Sequence, residues 1–288
     1  MNKKNILPIL IITIAILAMV FSIHLALRSE TRLLASVVGA DWRWYFQPAA
    51  QEVLHSRTPY TVEGFYNPPW ALIPLLPLAA LPLDWSVPIM VTLNLAAWTY
   101  TAMRLGMKSF LILPFIFFSG ATMNSIMGNL DGLLSLGLFL PPPLGVLVVM
   151  IKPQIGAPIV LFWAMRILLD QGNLKLKFIN MTKLLAPFAI LMVLSFVLYG
   201  TWFIQGTEAI GKTWNSAPWP RLIPLGVSLL VLSIYTKDLR WALVAIPYVT
   251  PYISPDGWAY STMAILAIAS GIKINIPRLA PHPILKNR

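Results

Sequence analysis

Few residues in this chain carry side chains that could do chemistry, and most of them stand at the ends of apolar runs. Asp41 follows Gly39-Ala40 and opens a run in which Trp42, Tyr45, Phe46, Ala49, Ala50, Val53 and Leu54 recur at helical spacing. From position alone, a carboxylate there caps the helix and meets its dipole. Asn129 and Asp131 occupy a Gly-Asn-Leu-Asp-Gly turn. A buried carboxylate in such a place is expensive without a role or a partner, although the two polar residues could equally satisfy a broken helix end. Lys152 interrupts an apolar stretch. It either faces a polar cavity or a charged partner, or snorkels to an interface. Arg221, beside Trp214, Trp219 and two prolines, is a second candidate cation, with an ordinary interfacial anchor as the alternative. Asp256 follows Pro255 and is a turn residue by type. The chain has no cysteine, which excludes disulfides and thiolate metal sites, and its carboxylates are isolated from any histidine cluster of ligand spacing. No metal and no cofactor is expected.

The elements that position these residues belong to an apolar solvent. Hydrophobic residues make up 58% of the 288 and charged ones only 11%, against roughly a quarter charged in a soluble domain. The run Ile6 to Leu27 holds one ionisable residue, His24, and exceeds the roughly 20 residues a helix needs to cross hydrocarbon. It reads as an uncleaved first helix. Further apolar stretches cover 66–83, 86–105, 109–127, 128–140, 144–152, 153–169, 184–203, 221–236, 239–253 and 257–275. The expectation is one all-α transmembrane domain over 1–288 with about 8–10 crossings, since lipid leaves no other open structure with satisfied backbone groups. The stretches 128–140 and 144–152 are too short for spans and suit a re-entrant pair around Pro141-Pro142-Pro143. If 66–83 lies in or re-enters the outer interface, both termini face inward with Arg104, Lys108, Arg166, Lys175, Lys177, Lys183, Lys237 and Arg240. The positive-inside rule prefers this arrangement. It sends Asp41, Asp131 and Asp256 outward and points to a plasma membrane. The net charge of +11 is thus spent on topology, with basic residues scattered singly or in pairs rather than in a nucleic-acid-binding patch.

The loop 28–65 is the one long outer connection. Its helix is expected to lie flat in the interface, with Arg43, Gln47, Gln51, Glu52 and His55 on its other faces.

Four blocks in this frame resemble glycosyltransferase family 87, the GT-C membrane mannosyltransferases that use a polyprenyl-phosphate sugar. The first is Asp41-Trp-Arg-Trp-Tyr45-Phe46 with Thr58-Pro59-Tyr60 and Phe65-Tyr66-Asn67-Pro68-Pro69; the second is Ser125-Ile-Met-Gly128-Asn129-Leu-Asp131-Gly132. The third is Ile151-Lys152-Pro153-Gln154 and the fourth is Ser254-Pro255-Asp256-Gly257-Trp258-Ala259-Tyr260, all in the family's order. The family's Gln after Gly128 is replaced by Asn129, and its Gly before Pro59-Tyr60 by Arg57-Thr58.

The resemblance implies inverting transfer of a sugar, mannose by family habit, from a polyprenyl-phosphate donor to a glycan or glycolipid acceptor at the outer face. Asp41 matches the family's general base, which takes the proton of the attacking hydroxyl. Arg43 or His55 would keep it ionised. Lys152, and after it Arg221, would meet the leaving phosphate. Asn129, Asp131, Tyr45, His55, Tyr60 and Asp256 would line the substrate site. Two other classes compete with this reading. A transporter or flippase of a lipid-linked or anionic substrate would use Lys152 and Asp131 as a path. A non-catalytic envelope partner would keep the fold without the activity.

Overall fold

A computed structural model describes residue 20 and residues 37–204, 219–251 and 258–272. The first apolar run, Asp256, Trp214 and both basic tails lie outside the described residues. Among the described residues the chain is all-α, with no strand.

A π-helical turn, Trp42–Phe46, leads into α1, Gln47–Leu54. Three 3-10 turns, Pro59–Thr61, Pro69–Ala71 and Ile73–Leu75, and the single turn α2, Leu76–Ala79, fill the stretch up to α3, Leu83–Arg104. The run 66–83 is therefore a chain of proline-started turns rather than a spanning helix, because Pro68, Pro69, Pro74 and Pro77 remove backbone donors every few residues. The 22 residues of α3 reach about 33 Å.

The stretch 109–127 divides into α4, Ser109–Phe118, and α5, Ala121–Ile126, at Gly120, whose φ is +83°. The next two apolar stretches become α6, Asp131–Ser135, continued by a 3-10 turn Leu136–Phe139, and α7, Pro142–Val149. These pack side by side as a hairpin around the triple proline, so close that a Cβ on Gly145 would lie 2.6 Å from the Gly137 carbonyl oxygen. The remaining helices are α8, Pro153–Leu168; α9, Leu174–Tyr199; α10, Ile223–Thr236; α11, Leu239–Val249; and α12, Trp258–Ala269.

One helix among the described residues, α9, is both long and apolar enough to cross a membrane, with a mean hydropathy of 2.1 over its best window. Its boundaries are local: the Asn173 side chain accepts from the Leu176 N–H at 2.8 Å, and Gly200 at φ +65° ends it. Large apolar side chains stand on the outside of the bundle, Phe118 at 86%, Val197 at 77% and Phe178 at 72% exposure among them.

The expected interfacial helix turns out differently. Trp42, Phe46, Ala49 and Ala50 are buried in the common core rather than laid on a surface, while Tyr45 and Leu54 are exposed. The π turn, closed by the Gln47 N–H on the Trp42 carbonyl, is wider than an α turn and shifts the register. Gln47 thereby moves to the buried face, where its Nε2 donates to the carbonyls of Ala79 and Leu81 at 3.2 and 2.9 Å.

Candidate functional site

Asp41 reaches its place through the backbone. Its N–H donates to the Met127 carbonyl at 2.7 Å, and the Gly39 N–H donates to the Ile126 carbonyl at 2.6 Å, so the loop is stitched to the end of α5. Gly128 follows at φ +75°, and a Cβ there would lie 2.7 Å from Trp42 Cβ. Only glycine allows both the left-handed turn and this approach. The indole of Trp42 anchors the other side, its Nε1 donating to Ser86 Oγ of α3 at 3.0 Å.

The Asp41 side chain does not cap its helix. Its Oδ2 instead accepts from Asn129 Nδ2 at 2.7 Å. Asn129 Oδ1 accepts from the Leu130 N–H at 2.7 Å and from Lys152 Nζ at 2.6 Å. Lys152 Nζ also pairs with Asp131 Oδ1 at 2.5 Å, with the Lys152 side chain 15% exposed and the Asp131 side chain not exposed at all. Two carboxylates, one ammonium and one amide thus form a continuous cluster at the junction of the π turn, α6 and the start of α8. Asp131 Oδ2 is buried without a hydrogen-bond partner.

Local sequence explains each placement. Lys152 precedes α8, whose first residue is Pro153, and proline suits a first helical position because its missing N–H is not needed there. Asn67 Nδ2 donates to the Ile151 carbonyl at 3.1 Å, and Trp70 Nε1 donates to the Leu147 carbonyl at 3.1 Å. The loop motif around Pro68-Pro69 therefore holds the residue before Lys152. Asn94, buried in α3, donates to the Met90 carbonyl at 3.1 Å and accepts from the Leu133 N–H at 3.3 Å, serving a free N–H near the start of α6.

Burial raises the Asp41 carboxyl above its ordinary 3.8; the Lys152 ammonium opposes this, the Asp131 charge adds to it, and the Asn129 hydrogen bond lowers it again. The cation facing Asp41 is Lys152, not His55, which is exposed and bonds through Nδ1 to the Gln51 carbonyl at 2.7 Å. The buried pairing of Lys152 also replaces the snorkelling alternative.

The other residues singled out in the sequence do not join this cluster. Among the described residues, no hydrogen bond or ion pair links Tyr45, His55, Tyr60 or Arg221 to it. Tyr45 is 37% exposed, and Arg221 is exposed just before α10. Tyr60 donates to the Asn67 carbonyl at 3.0 Å and stacks on Trp202 at 5.6 Å with rings 12° apart, which docks the loop on the end of α9. Burial pushes its hydroxyl far above the ordinary tyrosine value, which suits a neutral donor. Asp256 lies outside the described residues.

Asn94 is the polar residue that sequence reasoning passed over, while Gln47 and Asn67 were named without the inward contacts they make. A single amide inside the apolar stretch 86–105 was the available signal for Asn94. No family model, no curated protein and no solved structure matches the chain.

Proposed function

We propose that the chain is a polytopic membrane glycosyltransferase of GT-C type. It moves a sugar, mannose as the leading case, from a polyprenyl-phosphate donor to a glycan or glycolipid acceptor, with Asp41 as general base. One observation carries this reading: a carboxylate at a helix start that leaves the helix uncapped, is held through one oxygen by Asn129, and lies in the field of Lys152. A carboxylate free of the capping role and held through one oxygen supports its assignment as the proton acceptor.

In the proposed step the acceptor hydroxyl oxygen bonds to the anomeric carbon as the bond from that carbon to the lipid phosphate oxygen breaks. The hydroxyl proton passes to Asp41, the phosphate leaves with the electron pair, and the single displacement inverts the anomeric centre. The raised proton affinity that burial gives Asp41 strengthens it as a base, while Lys152 and the Asn129 hydrogen bond favour its ionised form. Lys152 is committed to Asp131 and Asn129. Arg221, exposed just before α10, is the remaining sequence candidate for the phosphate.

The membrane setting is supported by the apolar exterior and by the segregation of charge. Trp42, next to Asp41 in the chain, bonds to Ser86 near the start of α3, whereas Arg104 ends that helix. Lys152 begins α8 at the Asp41 cluster, whereas Arg166 lies in its last turn, next to the connection where Lys177 Nζ donates to the Leu168 carbonyl at 2.7 Å. Arg104, Arg166 and Lys177 thus lie towards the end away from Asp41, which suits a plasma-membrane protein with its site on the outer face.

The buried Lys152–Asp131 pair favours a second reading, transport of a lipid-linked or anionic substrate. The test is sugar transfer from radiolabelled polyprenyl-phosphate mannose by the purified protein in lipid vesicles, with other sugar donors in parallel. The expected result is transfer by the parent and a loss of roughly 10²- to 10⁴-fold in Asp41→Asn with donor binding retained. Movement of donor across the vesicle without transfer from any donor would select the transporter instead.

A further inference from the structure

An asparagine amide has a donor end and an acceptor end, and which faces which neighbour is decided by the partners around it. At Asn129 the choice is forced. Its Oδ1 is claimed by two donors, the Leu130 N–H and the Lys152 ammonium, neither of which can accept a hydrogen bond in return. The Nδ2 end must then face Asp41, and a rotated amide would set its oxygen against the Asp41 carboxylate while turning Nδ2 towards two donors. Asp131 locks the arrangement from behind, since the Lys152 ammonium is shared between it and Asn129. The consequence for Asp41 is asymmetry: Oδ2 is held, and Oδ1 is the oxygen left to take a proton.

We infer that Asn129 is a positioning residue that aims the Asp41 carboxylate, and that Lys152 fixes the direction of the Asn129 amide. The inference rests on the reading of Asp41 as general base and adds to it a reason for a Gly-Asn rather than a Gly-Gln pair at 128–129. The shorter asparagine makes three bonds at once, at 2.6, 2.7 and 2.7 Å, from a backbone that Trp42 already crowds.

The charged groups around Asp41 are Lys152 from the start of α8 and Asp131 from α6, with Arg43 in the π turn and Asp84 at the start of α3 on the elements packed there. Of these, Lys152 and Asp131 act on Asp41 in opposite directions. Removing the Asn129 donor takes away stabilisation of the ionised carboxylate, so the Asp41 titration moves to higher pH.

The experiment uses the full chain in lipid and two readouts. Infrared pH titration follows the Asp41 carboxyl band, assigned by its absence in Asp41→Asn, and needs no substrate. Transfer kinetics with polyprenyl-phosphate mannose give kcat on the pH plateau and KM for the donor. Asn129→Ala is expected to raise the Asp41 midpoint and to lower plateau kcat roughly tenfold or more, with donor KM unchanged. Asn129→Asp keeps the size and the two acceptor bonds but cannot donate to Asp41, and it serves if the alanine variant fails to fold. It too is expected to lower plateau kcat. An unmoved midpoint in Asn129→Ala, or an unchanged plateau kcat in either variant, overturns the inference. Absence of transfer in every form sinks the glycosyltransferase reading instead, while the infrared midpoint alone still decides whether Asn129 governs Asp41.

Discussion

The segment 119–152 and helix α9 are both apolar in sequence, yet they are built for opposite surroundings. The first is broken into short pieces by Gly120, Gly128 and the triple proline, and it buries Asn124, Ser125, Asp131 and Ser135. The second runs unbroken from Leu174 to Tyr199 and buries only Leu184 and Ser195. Breaking a helix frees backbone groups and needs polar neighbours to satisfy them, so broken segments collect amides, hydroxyls and carboxylates in the interior. Thr101 and Ser135, hydroxyl to hydroxyl at 2.6 Å, show how α6 is bound to α3 in this way. A continuous helix satisfies itself and can give its whole circumference to an apolar solvent. Buried polar side chains are therefore concentrated where the helices fail to run on.

Substitutions in the two regions test that contrast. Lys152→Met leaves the Asp131 carboxylate buried and unpaired, and is expected to cost about 3–5 kcal/mol, read as a fall in Tm in lipid nanodiscs. Adding Asp131→Asn should return most of that loss; if it does not, the ion pair is not what holds the hairpin to α8. Gly128→Val forces a branched residue to φ +75° against Trp42, with an expected loss of about 1–3 kcal/mol by the same assay. Trp42→Phe removes the donor to Ser86 and should cost about 1 kcal/mol. Val197→Ala, on the exposed side of α9, should stay within about 0.5 kcal/mol. A loss there as large as that of Trp42→Phe would mean that α9 packs on another protein surface, and the comparison would fail.

The pH dependence of transfer tests the site itself. Protonation of Asp41 would remove the proposed base, and burial raises its carboxyl above the ordinary 3.8, so the rate should fall on acidification at a higher pH than an unperturbed aspartate would give. The limb should vanish from any residual activity of Asp41→Asn.

Much of this was legible in the residues. The all-α class and the short paired stretches around Pro141-Pro142-Pro143 follow from composition and proline placement, because apolar length and missing backbone donors act locally. Asp41, Asn129, Asp131 and Lys152 stood out as polar groups in apolar runs, for which isolation is costly. What the sequence could not decide was which of them meet. Asp41 lies 88 positions from Asn129, and their contact exists only because the loop backbone is stitched to Met127 and Gly128 lets Trp42 approach. The same holds for the π turn that carries Gln47 inward, and for Lys152, whose partner is the carboxylate of Asp131 rather than an open surface. Periodicity reports the preferences of single elements, whereas hydrogen-bond pairing across elements is set by how the broken ends come together in the folded chain.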